Sequence, residues 1–501
     1  MELMGSGGPW ALSLPLLLFA IGLFLLFWWR TEASPQRPLP PGPRPLPLLG
    51  NLLQLRTANI LDCLTKLQDT YGPVYTLYLG SQKVVMLCGF QAVKEALIDH
   101  GDHFTGRTEI PITKRTVKGQ GIFFSEGELW KQVRRFSLTT LRNFGMGKRS
   151  IEERIQEEIQ FLVEELRKTK ELPFDPTFFI RRSVSNVICS IVFGQRFDYN
   201  DKKFQILLDL IAENLQRVDN FWVQVYNLIP TILDRFPGPH QQLFENYRAQ
   251  MRFVEEIMVE HQASLDPSSP RDYIDAFLIK IQQEKADPSS IFYPENLLIS
   301  SLDLFFGGSE STSTTLRYGL LLLLKHPEVE EQVHEEIERV TGRNRRPCME
   351  DRSKMPYTDA VIHEIQRFID IFTLGVPRSA IVDTNFRGYT IPKGTIVMPF
   401  LNTVLNDPEH FEYTGTFNPR NFLEDDGSFK KNEAFMPFSI GKRMCIGEGL
   451  ARMELFLFFT TILQNFKLQS TVDRKDLDIT PTLKLLGKLP PPYEISLLPR
   501  L

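Results

Sequence analysis

A cysteine framed by glycines carries the strongest chemical signal in the chain. Cys445 lies in Phe438-Ser-Ile-Gly441-Lys-Arg443-Met-Cys445-Ile-Gly447, ahead of the apolar, helix-like run EGLARMELFLFF. Loop glycines admit positive φ or a close backbone approach. A helix N-terminus presents free amide N–H groups and a partial positive charge, which favour a thiolate over a thiol. Such a thiolate is a nucleophile or a soft metal ligand. A nucleophile needs a partner base, and no local protease signature surrounds Cys445. An inert, buried cysteine is the third reading, and it leaves the residues around Cys445 unexplained.

Three further groupings could do chemistry or support it. The run Asp303-Leu-Phe-Phe-Gly307-Gly308-Ser309-Glu310-Ser311-Thr312 has helical character but two adjacent glycines, each worth about 1 kcal/mol against alanine. A ligand lying against the backbone would compensate, and the hydroxyls of Ser309, Ser311 and Thr312 can bond back to i−4 carbonyls. Glu364-Ile-Gln-Arg367 puts an acid and a base on one helical face, where they can pair. Trp130 and Arg134, four apart in LWKQVRRF, share a face in the same way.

With those residues in view, F-x-x-G-x-R-x-C-x-G resembles the haem-binding signature of the cytochromes P450, with each fixed position filled. The resemblance implies that Cys445 is the axial thiolate ligand of a haem b iron, a ligand that favours O–O cleavage. It implies that Phe438 packs on the cysteine side of the haem. Arg443, Trp130, Arg134, Arg107 and Arg378 would reach the haem propionates. The 303–312 run is similar to the family's distal helix, in which an acid and a hydroxyl, here Glu310 and Ser311, deliver protons to dioxygen. Serine stands where the family usually has threonine and lacks the methyl that restricts the rotamer. Glu364 and Arg367 match the structural E-x-x-R motif, and Asn421 stands where a cationic third member is usual. Phe123, Phe124, Gly307, Phe372, Val376 and Leu486 match substrate-pocket positions in the drug- and fatty-acid-oxidising family 2 enzymes. They are apolar and uncharged, which suits lipophilic substrates held by shape.

The elements that must position these residues read as mainly helical with a small β part. Residues 150–168 place Ile151, Ile155, Ile159, Leu162, Val163 and Leu166 at helical spacing among acids. Residues 319–340 are helical, with a break at His326-Pro327. Residues 74–79 and 83–88 flank Gly80-Ser81-Gln82 as a hairpin, and 386–391 and 395–400 flank Pro392-Lys393-Gly394 as a second strand pair. The resemblance implies the mainly α P450 fold with small sheets.

The 57 basic and 61 acidic residues give a formal net charge of −4, with no basic field to suggest nucleic acid. Five widely spaced cysteines without C-x-x-C argue against a disulfide framework or a zinc site. Residues 10–29, WALSLPLLLFAIGLFLLFWW, carry no charge and match the length of about 20 residues that spans a bilayer. Arg30, Arg37 and Arg44 follow, so the positive-inside rule puts the body in the cytoplasm. A cleaved signal peptide is the alternative. The expected organisation is a transmembrane anchor at 1–30, a stiff proline-rich hinge at 31–47 and a haem–thiolate domain at 48–501.

The resemblance further implies the endoplasmic reticulum membrane, O2 and NADPH as co-substrates, and NADPH–cytochrome P450 reductase as partner, with cytochrome b5 an optional second donor. Lys131, Arg135, Arg142, Lys148, Arg149 and Lys442 form a cationic set that would steer an acidic reductase. The apolar, aromatic segment 221–230 would dip into membrane lipid. The expected reaction inserts one oxygen atom of O2 into a lipophilic substrate. Its rivals are a P450-type peroxide isomerase or dehydratase, and a haem–thiolate sensor or carrier without turnover.

Overall fold

The computed structural model describes residues 19, 22, 38–47, 49–55, 60–108, 110–146, 149–218, 220–482 and 487–500. The apolar run 10–29, apart from Phe19 and Gly22, therefore lies outside the described residues, as do Lys148 and Leu486. Among the described residues no helix is long and apolar enough to cross a membrane.

Seven helices organise the site: α1 (Gly127–Asn143), α2 (Arg149–Arg167), α3 (Thr177–Val192), α4 (Pro294–Lys325), α5 (Pro327–Val340), α6 (Pro356–Ile369) and α7 (Glu448–Asn465). In α2 the buried positions include Ile151, Ile155, Ile159, Leu162, Val163 and Leu166, one apolar stripe on an otherwise charged helix. By contrast, α4 and α7 are buried nearly all round over long stretches, α7 chiefly through apolar residues and α4 with polar ones such as Asn296, Asp303 and Glu310 among them. They form the centre of the largest core, with α3 packed on α4. The chain breaks between α4 and α5 at His326, as expected, because Pro327 supplies no N–H to continue α4 and suits the first turn of α5.

The β part has three pieces. β1 (Val74–Leu79) and β2 (Gln82–Cys88) form the expected hairpin, with Val74 opposite Leu87. The second expected pair is corrected. Residues 386–391 are not one strand: β4 (Thr384–Phe386) turns at Arg387-Gly388 and pairs with β5 (Tyr389–Ile391). Arg387 and Gly388 have φ of 49° and 82°, the left-handed pair that a two-residue hairpin turn requires. β6 (Ile396–Phe400) pairs instead with β2, in parallel, and with β3 (Arg378–Ser379), giving the order β1-β2-β6-β3. This places Arg378 at the sheet edge facing the cysteine loop. β7 (Phe466–Ser470) and β8 (Ile495–Pro499) close a third, two-stranded piece.

The described part of the proline-rich stretch is docked on the body. Thr76 donates its N–H to Pro41 O at 2.8 Å and its hydroxyl to Pro40 O at 2.9 Å. A Cβ at Gly42 would lie 2.0 Å from Thr76 O, so only glycine permits this approach.

Candidate functional site

The cysteine loop is shaped by one glycine. Gly441 has φ 76°, and a Cβ there would sit 1.9 Å from Leu97 O. The loop closes with Cys445 N–H donating to Phe438 O at 3.1 Å. Cys445 lies two residues before the N-cap of α7, with its sulfur on the side of the Gly447 and Glu448 amides. Those amides and Arg134 favour the thiolate, but burial outweighs them and pushes the thiol up, with Glu448 adding to the rise. Cys445 keeps an exposed face although it is desolvated, so that face looks into the interior and not into bulk solvent. A raised thiol is a poor nucleophile at neutral pH. A cation on the sulfur reverses this, because coordination deprotonates the thiol.

Four arginines converge beside that loop, held by backbone carbonyls and one serine hydroxyl. Arg443 donates from Nε to Thr105 O at 2.9 Å and from Nη2 to Ser125 O at 2.6 Å, and its guanidinium lies 3.9 Å over the Trp130 ring. Arg378 donates from Nη2 to Ser439 Oγ and Ile440 O, both at 3.0 Å. Arg107 donates to Phe123 O at 2.8 Å, Pro377 O at 2.6 Å and Val376 O at 3.3 Å. Arg134 donates to Met444 O at 2.6 Å. Burial and mutual repulsion push Arg443 down to about 8, Arg378 to about 9 and Arg107 to about 10. Among the described residues Glu126 is the one acid that opposes this, at Arg443. Arg443 Nη1, Arg378 Nη1 and Trp130 Nε1 are buried donors without a partner.

Buried donors left unpaired and positive charges left uncompensated are both costly. They fit a ligand that carries carboxylates beside a metal bound by sulfur. A haem has that character: an iron for Cys445 and two propionates for this cluster.

The distal helix α4 turns successive side chains in different directions, about 100° apart. Ser311 donates to Gly307 O at 2.8 Å, the expected i−4 bond. Gly307 shares that face, and a Cβ there would lie 3.1 Å from the Phe123 ring. Gly308 is a packing glycine instead, since its Cβ would meet Ile188 of α3 at 3.0 Å. Glu310 is buried on the side of Arg181 and Arg317, with Oε1 unpartnered. Burial raises its carboxyl, opposed by those two cations. Glu310 and Ser311 thus do not hydrogen-bond each other in the described contacts. Ser309 Oγ has no partner.

Of the pocket positions, Phe123 and Gly307 meet directly, and Arg107 ties Phe123 to Val376 through their carbonyls. Phe372 lies in the same turn as Val376, 37% exposed, with its carbonyl accepting from Gly375 N–H. Phe124 is half-buried beside Phe123.

Sequence reasoning gave Asp303 no role. Its Oδ2 accepts from Ile122 N at 2.7 Å and Phe123 N at 3.0 Å, and so pins the pocket wall to α4. A buried aspartate on an apolar helix was the available signal. Burial pushes its carboxyl up to about 7, against those amide bonds. A folded-state value above the unfolded one contributes stability at low pH that is lost as pH rises through about 7. Between pH 5 and 8 the protein should lose about 3 kcal/mol relative to Asp303→Asn. Urea unfolding of both proteins at the two pH values checks this, and parallel profiles would contradict it.

The Glu364–Arg367 pair is not on the surface. Both residues are fully buried, joined by two bonds of 2.7 Å. Arg367 also donates to the carbonyls of Leu405, Tyr413 and Thr416, while Glu364 accepts from Asn418 N at 2.9 Å and Asn421 Nδ2 at 3.1 Å. The pair thus organises the segment 405–421, and Asn421 completes it with a neutral bond.

On the surface, Lys131, Arg135 and Arg142 of α1 are exposed and make no ion pair among the described residues. Lys442 pairs with Asp102 at 3.2 Å and Arg149 with Glu153 at 3.5 Å. Elsewhere Trp222, Leu228, Ile229, Ile232 and Phe236 form an exposed apolar set, while Val223 and Tyr226 of the same segment are buried.

Comparison with known proteins agrees with this geometry. The Cytochrome P450 family model matches residues 40–497. The chain is 54% identical to Cytochrome P450 2H2 of Gallus gallus over 491 residues, covering 98% of this chain and 99% of that protein. It is 54% identical to Cytochrome P450 2C44 of Mus musculus over 500 residues, covering 100% of both. Cytochrome P450 2C8 of Homo sapiens is 53% identical over 483 residues, covering 96% of this chain and 99% of that protein.

Proposed function

The chain belongs to the cytochrome P450 family and is a P450 monooxygenase, and from that premise we propose that it oxidises lipophilic substrates, xenobiotics and polyunsaturated fatty acids among them, with NADPH electrons relayed by a flavoprotein reductase. The observation that carries the haem assignment is the arginine cluster with its unpartnered donors beside Cys445. When bound, the haem supplies activation of O2 for transfer of one oxygen atom to the substrate.

Cys445 would hold the iron, with Phe438 on the same side. Arg107, Arg134, Arg378, Arg443 and Trp130 would bind the propionates through charge-assisted hydrogen bonds. Phe123, Phe124, Gly307, Phe372, Val376 and Leu486 would exclude water and orient an apolar substrate by shape. Glu310 would hold a proton: burial raises its carboxyl, and Arg181 and Arg317 temper the rise. Ser311 would present its hydroxyl on the pocket face.

The exposed cations Lys131, Arg135 and Arg142 support docking of an acidic reductase, with cytochrome b5 an optional second donor. We assign residues 1–30 to an uncleaved anchor, 31–47 to a hinge and 48–501 to a cytoplasmic domain at the endoplasmic reticulum. The charge-free run 10–29 and the exposed apolar set at 222–236 support this. Alkaline carbonate should leave the protein in the membrane pellet, and its release would refute the anchor.

The test of function is reconstitution of the purified protein with reductase, NADPH and a panel of lipophiles. Product formation should require both NADPH and reductase. Product from hydroperoxides without either would indicate an isomerase, and no product from any of the panel a sensor or carrier.

A further inference from the structure

We infer that Lys488 is a positioning residue for substrate: paired with Asp370, it holds the turn 370–376, which carries Phe372 and Val376, against the segment 487–489, and so sets which lipophiles the pocket accepts. The role rests on the reading of Phe372 and Val376 as pocket residues.

The turn begins where α6 ends. Asp370 caps that helix at φ 45° and ψ 64°, in the left-handed region, and its N–H donates to Gln366 O at 3.2 Å. Aspartate enters that region more readily than most residues. Its Oδ2 accepts from Asn402 Nδ2 at 2.9 Å and pairs with Lys488 Nζ at 3.5 Å. The Lys488 N–H donates to Ile371 O at 3.0 Å, so side chain and main chain grip the same turn. At the other end of the turn Arg107 donates to Val376 O at 3.3 Å. The carbonyl of the next residue, Leu489, accepts from the Tyr318 hydroxyl of α4 at 2.9 Å and from Thr482 N at 3.0 Å. The distal helix, the segment 487–489 and the pocket turn are thus joined in series, and Lys488 is the joint.

The pair is built into the interior. The Lys488 side chain is 11% exposed and that of Asp370 2%. In every other lysine ion pair among the described residues the lysine side chain is at least 41% exposed. Exposed pairs contribute little, whereas a lysine is buried this far only with a partner. Among the described residues Lys488 is the one cation that pairs with Asp370. Burial raises the Asp370 carboxyl, and the Lys488 charge is the strongest influence against that rise.

The main-chain bond to Ile371 already fastens the segment, so a staple alone would need no charge. Removing the ammonium strips a buried carboxylate of its counter-charge, and the turn relieves this by moving the carboxylate toward water. Phe372 lies two residues on and is 37% exposed, so little packing resists its displacement. A short ligand touches little of the pocket wall, whereas a long alkyl chain must lie along it. Loss of the pair therefore acts on selectivity for long lipophiles.

The experiment titrates full-length, haem-loaded wild type, Lys488→Met, Asp370→Asn and the Met/Asn double variant with N-butylimidazole and N-dodecylimidazole. Azole nitrogen binding to the iron shifts the haem absorbance, so affinity is read without turnover. N-dodecylimidazole should bind about fivefold more weakly in Lys488→Met and in Asp370→Asn, with no further loss in the double variant, because the two residues act as one unit. N-butylimidazole should weaken by less than about twofold. Asp370→Asn keeps the shape of the turn, so the comparison stands even where Lys488→Met accumulates poorly.

Equal weakening of both azoles is the mark of a merely structural staple and would overturn the proposal. So would additive effects in the double variant, or wild-type selectivity in either single variant. Phe372→Ala and Val376→Ala separate the tether from its premise, since each should shift the same ratio. If both alanine variants match wild type, the pocket reading fails and the proposal with it. If they shift the ratio and Lys488→Met does not, the tether alone fails. The red-shifted ferrous–CO band of a thiolate ligand should persist in every variant, and its absence from the wild type would overturn the haem–thiolate reading itself.

Discussion

Cys445→Ser protein is expected to lose the red-shifted ferrous–CO band and all NADPH-dependent product formation while remaining folded. Folding should survive because the loop is held by other contacts. Gly441 packs on Leu97 O, Cys445 bonds Phe438 O through its main chain, and Arg443 and Arg378 are anchored on carbonyls. The side chain itself contributes little packing, since Cys445 keeps an exposed face. A serine hydroxyl is a hard, weakly acidic donor and does not replace a thiolate on iron. The loss of activity should therefore be complete, whereas the urea midpoint should move by less than about 1 kcal/mol of stability. A thiolate-type spectrum in Cys445→Ser would show that another sulfur binds the iron. Loss of soluble protein would show that the loop depends on the side chain.

Arg367→Leu should have the opposite profile, a large loss of stability before any effect on chemistry. Glu364 and Arg367 are fully buried and joined by two bonds of 2.7 Å. Removing the arginine strands a buried carboxylate, which typically costs about 3–5 kcal/mol. It also removes donors from the carbonyls of Leu405, Tyr413 and Thr416. Against a typical domain stability of about 5–15 kcal/mol, most of the protein should fail to accumulate folded. Asn421→Ala removes the 3.1 Å bond to the same carboxylate and two bonds to the main chain of Tyr413, and should cost about 2 kcal/mol, less than the loss of the arginine. Urea unfolding and the yield of haem-loaded protein check both. Equal midpoints for Arg367→Leu and wild type would sink the argument.

The readings that held were those whose information is contiguous in the chain. The apolar stripe of α2, the break at His326-Pro327 and the first hairpin follow from side-chain period and from proline's missing donor. The second hairpin was misread because Arg387-Gly388 carries the turn. An arginine at φ 49° is not signalled by its residue type, and Pro392-Lys393-Gly394 looked like the better turn. At Cys445 the helix-end amides are a local feature, whereas the desolvation that raises the free thiol is imposed by distant segments.

The amino-acid sequence by itself determined the family and singled out Cys445, because the residues of the cysteine loop stand at fixed short spacing. Only the tertiary structure decided which distant residues meet. It set Arg107 across Phe123 and Val376, and Asp303 under the amides of Ile122 and Phe123. Each of these contacts joins segments far apart in the chain. Hydrogen bonds and desolvation depend on distances of a few ångströms in space, and spacing along the sequence does not specify those distances.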